Sequence, residues 1–229
     1  MIIGAGGDAA HQGLPVLIVT GLKQEARIAA GPGLTVICSS SNPYQLREMM
    51  MSFDPASIRG IVSFGVAGGL NPTLRSGDIV IASEIVAAEQ RWTTASNLND
   101  LIALSNKGRN IVPGVLAGVE EVVTGQVSKA ALRATTGADA VDMESHIAAR
   151  YATEYGLPFA ALRVISDPAH RALPHLTTSA IKPDGKVDVW KVMRGIARNP
   201  KAIPSLISTG RDFNRALRSL RGARRILHG

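Results

Sequence analysis

Residues 60–70 read Gly60-Ile61-Val62-Ser63-Phe64-Gly65-Val66-Ala67-Gly68-Gly69-Leu70. The first five have the apolar, β-branched character of a buried strand, and the glycines after them predict a turn where a ligand can approach the backbone closely. The same pattern recurs on either side. Pro15-Val-Leu-Ile-Val-Thr20 and Thr35-Val-Ile-Cys38 predict strands, with helices expected over 24–30 and 43–51, the second capped by Asn42 or Ser41. Further strands are expected over 78–81, 115–117 and 158–165, and helices over 129–134 and 143–155, the last closed by Gly156. Alternation of apolar strands with helices predicts an α/β protein with a mostly parallel, buried sheet.

The chain has 229 residues, which suits one domain; residues 15–229 are read as that domain and the glycine- and alanine-rich 1–14 as a flexible leader. Gly4-Ala-Gly6-Gly7 has too little sequence before it to be a dinucleotide loop. One cysteine, Cys38, excludes an internal disulfide, and no signal peptide or transmembrane stretch is recognisable, so a cytoplasmic location is expected. The net charge of +7 is unevenly placed: from Val187 onward ten Lys/Arg face two Asp, leaving −1 on the remainder. The basicity therefore belongs to a helical extension over 174–229, with helices expected at 187–197, 200–208 and 212–227.

The five histidines show no metal-ligand spacing, and neither a Gly-x-Ser-x-Gly elbow nor a P-loop occurs, which sets aside metal sites, serine hydrolases and P-loop NTPases. What remains is acids at strand ends, where open α/β sheets build their sites. Asp167 ends the strand over 158–165 and precedes Pro168. Glu144 follows Val141-Asp142-Met143 at the start of a helix, and Glu25 lies in the first turn after Thr20. Each has an ordinary reading as well, as a turn residue, a helix-dipole acid or a solvated first-turn acid. Three carboxylates after three strands, beside a glycine-rich segment, are expected to converge on one cleft.

Four blocks, in order, resemble the purine nucleoside phosphorylase and methylthioadenosine/S-adenosylhomocysteine nucleosidase superfamily: Thr20-Gly-Leu-Lys-Gln-Glu25-Ala, Gly65-Val-Ala-Gly-Gly-Leu70 leading to Gly77-Asp-Ile-Val-Ile81, Val141-Asp-Met-Glu144-Ser, and Arg163-Val-Ile-Ser-Asp167. Within it the chain is most similar to bacterial hopanoid-associated phosphorylases, through Val141-Asp-Met-Glu-Ser-His146, Ile165-Ser-Asp-Pro-Ala169, Arg171-Ala-Leu-Pro174, Gly114-Val-Leu-Ala-Gly118 and the basic C-terminal helices. The resemblance implies a three-layer α/β/α fold around a twisted mixed sheet, partly closed into a barrel, and a homo-oligomer. It also implies cleavage of the N-glycosidic bond of a 5′-substituted adenosine. For the hopanoid group that substrate is adenosylhopane, and the products are adenine and a ribosyl or phosphoribosyl compound.

By position, the resemblance gives Asp167 the protonation of purine N7, with Ser166 orienting it. Glu144 holds the ribose hydroxyls with Met143 against the sugar, Glu25 activates water, and Arg163 pairs with an acid of the group. Val66 and Gly68 belong to the substrate-binding segment; Val66 stands where adenine nucleosidases have serine. Val122 and Val123 stand in place of the aromatic that stacks on adenine. Ser63 occupies the place of a phosphate-binding arginine, so phosphate as co-substrate would need another site, for which Ser39-Ser40-Ser41 with Arg27 is the candidate. The segment after Glu84, which encloses the 5′ substituent in nucleosidases, is short and different. No metal or cofactor is implied. A lipid-linked substrate would use the basic helices for peripheral contact with the inner membrane surface. The alternatives are a soluble methylthioadenosine- or S-adenosylhomocysteine-type nucleosidase or purine nucleoside phosphorylase, and, in another class, a nucleic-acid- or nucleoside-binding protein.

Overall fold

The computed structural model describes residues 13–95, 110–173, 203–224 and 227. The leader, apart from its last two residues, and the helix expected over 187–197 lie outside them. In chain order the elements are β1 (Val16–Thr20), α1 (Lys23–Ala29), β2 (Leu34–Cys38), α2 (Pro43–Met51), β3 (Ile61–Gly69), β4 (Ile79–Ala87), β5 (Gln90–Thr93), β6 (Ile111–Gly118), α3 (Gln126–Thr136), β7 (Ala140–Asp142), α4 (Ser145–Glu154), β8 (Phe159–Asp167) and α5 (Ile203–Ala223).

The sheet is mixed. β1 runs parallel to β2 and to the first half of β3, and β8 runs parallel to β3 along its length, whereas β4 lies antiparallel to β8 and β7 antiparallel to the last residues of β3. β4 pairs with β6 and β6 with β7, so β3, β8, β4, β6 and β7 close on themselves as a small barrel, while β1 and β2 continue the sheet from β3. The partly closed, mixed sheet expected from the resemblance is present; five of its eight strand pairings are parallel, in keeping with the alternation, and the antiparallel pairings β3–β7, β4–β5 and β4–β8 are what the alternation does not show. Strand direction follows from the path of the connections, which a hydrophobic pattern does not encode.

Helices cover both faces. α2 begins where the Asn42 side chain accepts from the amides of Tyr44 and Gln45 at 3.0 and 3.2 Å, and it buries Leu46 and Met50. Leu17, Val19, Leu46, Met50 and the alanines of α4 form the core on that side. On the other side Ile18, Val62, Phe64 and Val164 meet Ile28 of α1 and Ala216, Leu217, Leu220 and Ala223 of α5. The result is the expected three-layer α/β/α arrangement.

Two expectations change. The segment predicted as a glycine turn continues as strand to Gly69, because its backbone stays paired with β8 up to Gly68 against Asp167, with one irregularity after Ala67. The two terminal helices expected at 200–208 and 212–227 are one helix, α5, running through Gly210. A Cβ at Gly210 would meet nothing within 4 Å, and the burial of Leu217 and Leu220 on the sheet outweighs the glycine's poor helix propensity, about 1 kcal/mol.

Candidate active site

The carboxyl ends of β1, β3 and β8, which run parallel, meet the turn after β7 at one edge of the sheet. There Glu25, Glu144 and Asp167 line a single cleft together with Val66, Gly68, Val122, Val123, Met143 and Ser166. Arg163 lies behind this wall, fully buried. The sequence-predicted set is therefore brought together, nine residues on the surface of the cleft and the arginine beneath it.

Glu25 is almost wholly buried, unlike a solvated first-turn acid. Its Oε2 accepts from the amides of Gly21 and Leu22 at 2.9 and 2.8 Å, and its Oε1 from Val66 at 2.8 Å, so one acceptor position on Oε1 remains for a ligand or water. Burial raises its pKa above the ordinary 4.5, against the pull of Arg163 and the three amides. The glycines of β3 make room for this. A Cβ at Gly65 would sit 2.6 Å from Arg163 Nη1 and 2.7 Å from Glu25 Cδ. At Gly21 it would sit 2.5 Å from Glu144 Oε1.

Arg163 organises the acids from below. Its Nε is 2.9 Å from Asp142 Oδ2, its Nη2 is 3.4 Å from Glu144 Oε2, and Nη2 donates to Ser63 Oγ at 2.6 Å. Burial opposes the guanidinium charge, but Asp142, Glu144 and Glu25 together outweigh it and raise its pKa. Ser63, in the place of a phosphate-binding arginine, is thus bound into the core and does not line the cleft. Asp142 has two roles: Oδ1 accepts from the amides of Glu144 and Ser145 at 2.9 and 2.7 Å, while Oδ2 faces Arg163. Burial, with repulsion from Asp142 and Glu25, pushes Glu144 up to about 7 despite the arginine.

Asp167 is buried at the end of β8, where Ser166 Oγ donates to its Oδ1 at 2.6 Å. Its Oδ2 is 2.6 Å from Nζ of Lys129, a lysine that sequence reasoning missed. Lys129 is fully buried on α3 whereas Val127 of the same helix is 84% exposed, the reverse of their ordinary preference. The inward positions of α3 are Lys129, Leu132, Arg133 and Thr136, which carry no apolar period to mark that face. Burial raises the Asp167 pKa, and Lys129 and Ser166 only partly offset it.

At the candidate anion site Ser39-Ser40-Ser41, Ser41 lines the cleft, while the amides of Ser39 and Ser41 are already bonded within the fold. The amides of Ser39, Ser41 and Asn42 donate to carbonyls of Thr20, Gly21 and Ser39, and Arg27 is exposed on α1 and lines no part of the cleft. Among the described residues, every charged side chain lining the cleft is an acid. The segment after Glu84 forms the β4–β5 hairpin as far as Thr93, and residues 96–109 lie outside the described ones.

This fold is shared with known nucleosidases. Native futalosine hydrolase of Helicobacter pylori superposes with a TM-score of 0.67 at 17% identity, covering 95% of this chain and 97% of that one. The 5′-methylthioadenosine/S-adenosylhomocysteine nucleosidase of the same organism gives 0.66 at 18%, covering 94% and 97%. The Colwellia psychrerythraea nucleosidase in complex with adenine gives 0.62 at 18%, covering 80% and 94%. A sequence profile described as the Phosphorylase superfamily matches residues 44–183. The chain belongs to that superfamily and is an enzyme of its phosphorylase and nucleosidase class.

Proposed function

We propose that this enzyme hydrolyses the N-glycosidic bond of a 5′-substituted adenosine and releases adenine, with adenosylhopane as the substrate. The observation that carries the hydrolysis is the acid-only cleft: Glu25, Asp142, Glu144 and Asp167 line it, and its two nearest cations, Arg163 and Lys129, are held behind it by those acids. Such a wall suits a ribosyl group that gains positive charge as its bond to adenine breaks, and among the described residues it offers a phosphate no cationic side chain. It disfavours a nucleic-acid ligand for the same reason.

In the reaction Asp167 gives a proton to N7 of the purine, and the electron pair of the C1′–N9 bond leaves with neutral adenine. Glu25 takes a proton from the water whose oxygen bonds to C1′. Glu144, near half-ionised at neutral pH, can both accept from and donate to the ribose hydroxyls. Met143 packs on the sugar, and Val122 and Val123 give the base an aliphatic wall.

The lipid substrate is supported by α5, whose Ala216, Leu217 and Leu220 dock on the sheet while Arg211, Arg215, Arg218 and Arg221 stay exposed. Four arginines near an anionic bilayer are worth up to about 1 kcal/mol each, enough for reversible attachment. No helix of the described residues is long and apolar enough to cross a membrane, so such contact is peripheral. The second reading, a methylthioadenosine-type substrate, is favoured by the nucleosidases that share the fold. Chromatography of adenine released from adenosylhopane in liposomes and from methylthioadenosine, with and without phosphate, decides between them. Release from the hopanoid without phosphate is expected; release from methylthioadenosine alone, or only with phosphate, overturns the proposal.

A further inference from the structure

Lys129 is unexplained by the proposed chemistry. Burying an ammonium is costly unless it is fully partnered. The partners of Lys129 Nζ all belong to one short segment: Asp167 Oδ2 at 2.6 Å, and the carbonyls of Asp167, Pro168 and Arg171 at 3.2 Å each. Four acceptors around Nζ are enough to engage all three hydrogens of an ammonium. Because Oδ2 is held by this cation, a proton on the Asp167 carboxyl belongs on Oδ1, the oxygen beside Ser166. Ser166 Oγ lies 2.6 Å from Oδ1 and 3.2 Å from the carbonyl of Ala67, and its single hydrogen can serve only one of them at a time.

We propose that Lys129 is a positioning residue for proton transfer at Asp167: its ammonium fixes Oδ2 and directs the transferable proton to Oδ1, where the Ser166 hydroxyl that the resemblance already assigns to Asp167 turns between the Ala67 carbonyl and Oδ1 as that proton comes and goes. With Asp167 protonated, Oδ1–H donates to Ser166 Oγ or to a bound purine, and the Ser166 hydrogen points to Ala67. After the proton passes to N7, the Asp167 carboxylate accepts from both Lys129 and Ser166. The negative charge left on the acid thus meets one donor already in place, Lys129, and a second that a turn of the Ser166 hydroxyl brings in, which favours the product side of the transfer. Solvent exchange returns the proton to Oδ1 once adenine has left.

This inference rests on Asp167 being the acid of the proposed reaction, and its test separates the two. The Asp167 carboxyl is titrated by ¹³C NMR in the labelled full-length protein, with Asp167→Asn identifying the resonance. Lys129→Met, and Lys129→Gln, which keeps donors for the carbonyls without the charge, are expected to raise the titration midpoint by about 1 to 3 pH units. Lys129→Arg stays close to the unmutated protein, and Ser166→Ala also moves the midpoint upward by removing a donor to the carboxylate. In the unmutated protein the ¹⁵Nζ shift of Lys129 follows the same midpoint as the Asp167 carbon, a reading that needs no variant to fold. An unmoved midpoint in a folded neutral Lys129 variant, or a Lys129 Nζ blind to the Asp167 titration, overturns the role of Lys129. An unmoved midpoint in Ser166→Ala overturns the role of Ser166. Undiminished adenine release by Asp167→Asn, with these shifts present, overturns the proposed acid and leaves the Lys129 pairing standing.

Discussion

Replacing Glu144 with glutamine should stabilise the protein at alkaline pH while abolishing adenine release. Burial and neighbouring acids raise the Glu144 pKa from the ordinary 4.5 to about 7, so the folded state binds the proton more tightly than the unfolded chain does. A raised acid contributes stability that is full below 4.5 and is lost as pH climbs through 7. At about 1.36 kcal/mol per unit the full loss is about 3 kcal/mol. Glutamine has nearly the shape of the protonated acid and no charge, and Asp142 remains to pair Arg163 at 2.9 Å. Urea unfolding of the two proteins should give nearly equal stability at about pH 5. Toward about pH 8, Glu144→Gln should become the more stable by about 2 to 3 kcal/mol. Glu25 and Asp167 are raised in the same direction, but they are present in both proteins and largely cancel. A variant no more stable than the parent at alkaline pH, or a difference that does not grow with pH, refutes the reasoning.

Asp167→Asn should lower kcat for adenine release by about 10²- to 10⁴-fold while leaving the unfolding midpoint near that of the parent, as measured by steady-state kinetics and thermal melts. Gly65→Ala should impair both activity and stability, because the new methyl would lie 2.6 Å from Arg163 Nη1; about 1 to 3 kcal/mol of destabilisation is expected in urea unfolding. Leu220→Ala, in the fully buried seam between α5 and the sheet, should destabilise by about 2 to 5 kcal/mol by the same assay. Reversing Arg211, Arg215, Arg218 and Arg221 to glutamate should abolish co-sedimentation with anionic liposomes while leaving hydrolysis of a detergent-dispersed substrate intact.

Much of the candidate site was legible because its residues sit at strand ends. A strand's carboxyl terminus is a local property, visible where an apolar run stops, and Thr20 and Asp167 each end a strand, whereas Val66 lies within β3. Lys129 was not legible, since nothing in Ser128-Lys129-Ala130-Ala131-Leu132 shows which face of the helix turns inward. The same holds for the second role of Asp142, whose capping of Glu144 and Ser145 is local but whose pairing with Arg163 spans 21 positions of chain.

The sequence by itself determined the α/β alternation, the Asn42 cap of α2, the basic character of the C-terminal helix and the presence of acids after the strands, because each depends on residues within a few positions of one another. Only the tertiary structure decided that β3, β8, β4, β6 and β7 close into a barrel and that Gly65 and Gly21 leave room for Glu25, Arg163 and Glu144. It also decided that burial outweighs pairing in raising the pKa values of Glu25, Glu144 and Asp167. Desolvation depends on what surrounds a group in space, and Glu144 is pushed up to about 7 because its burial, with repulsion from neighbouring Asp142 and from Glu25, far away along the chain, outweighs the pull of Arg163.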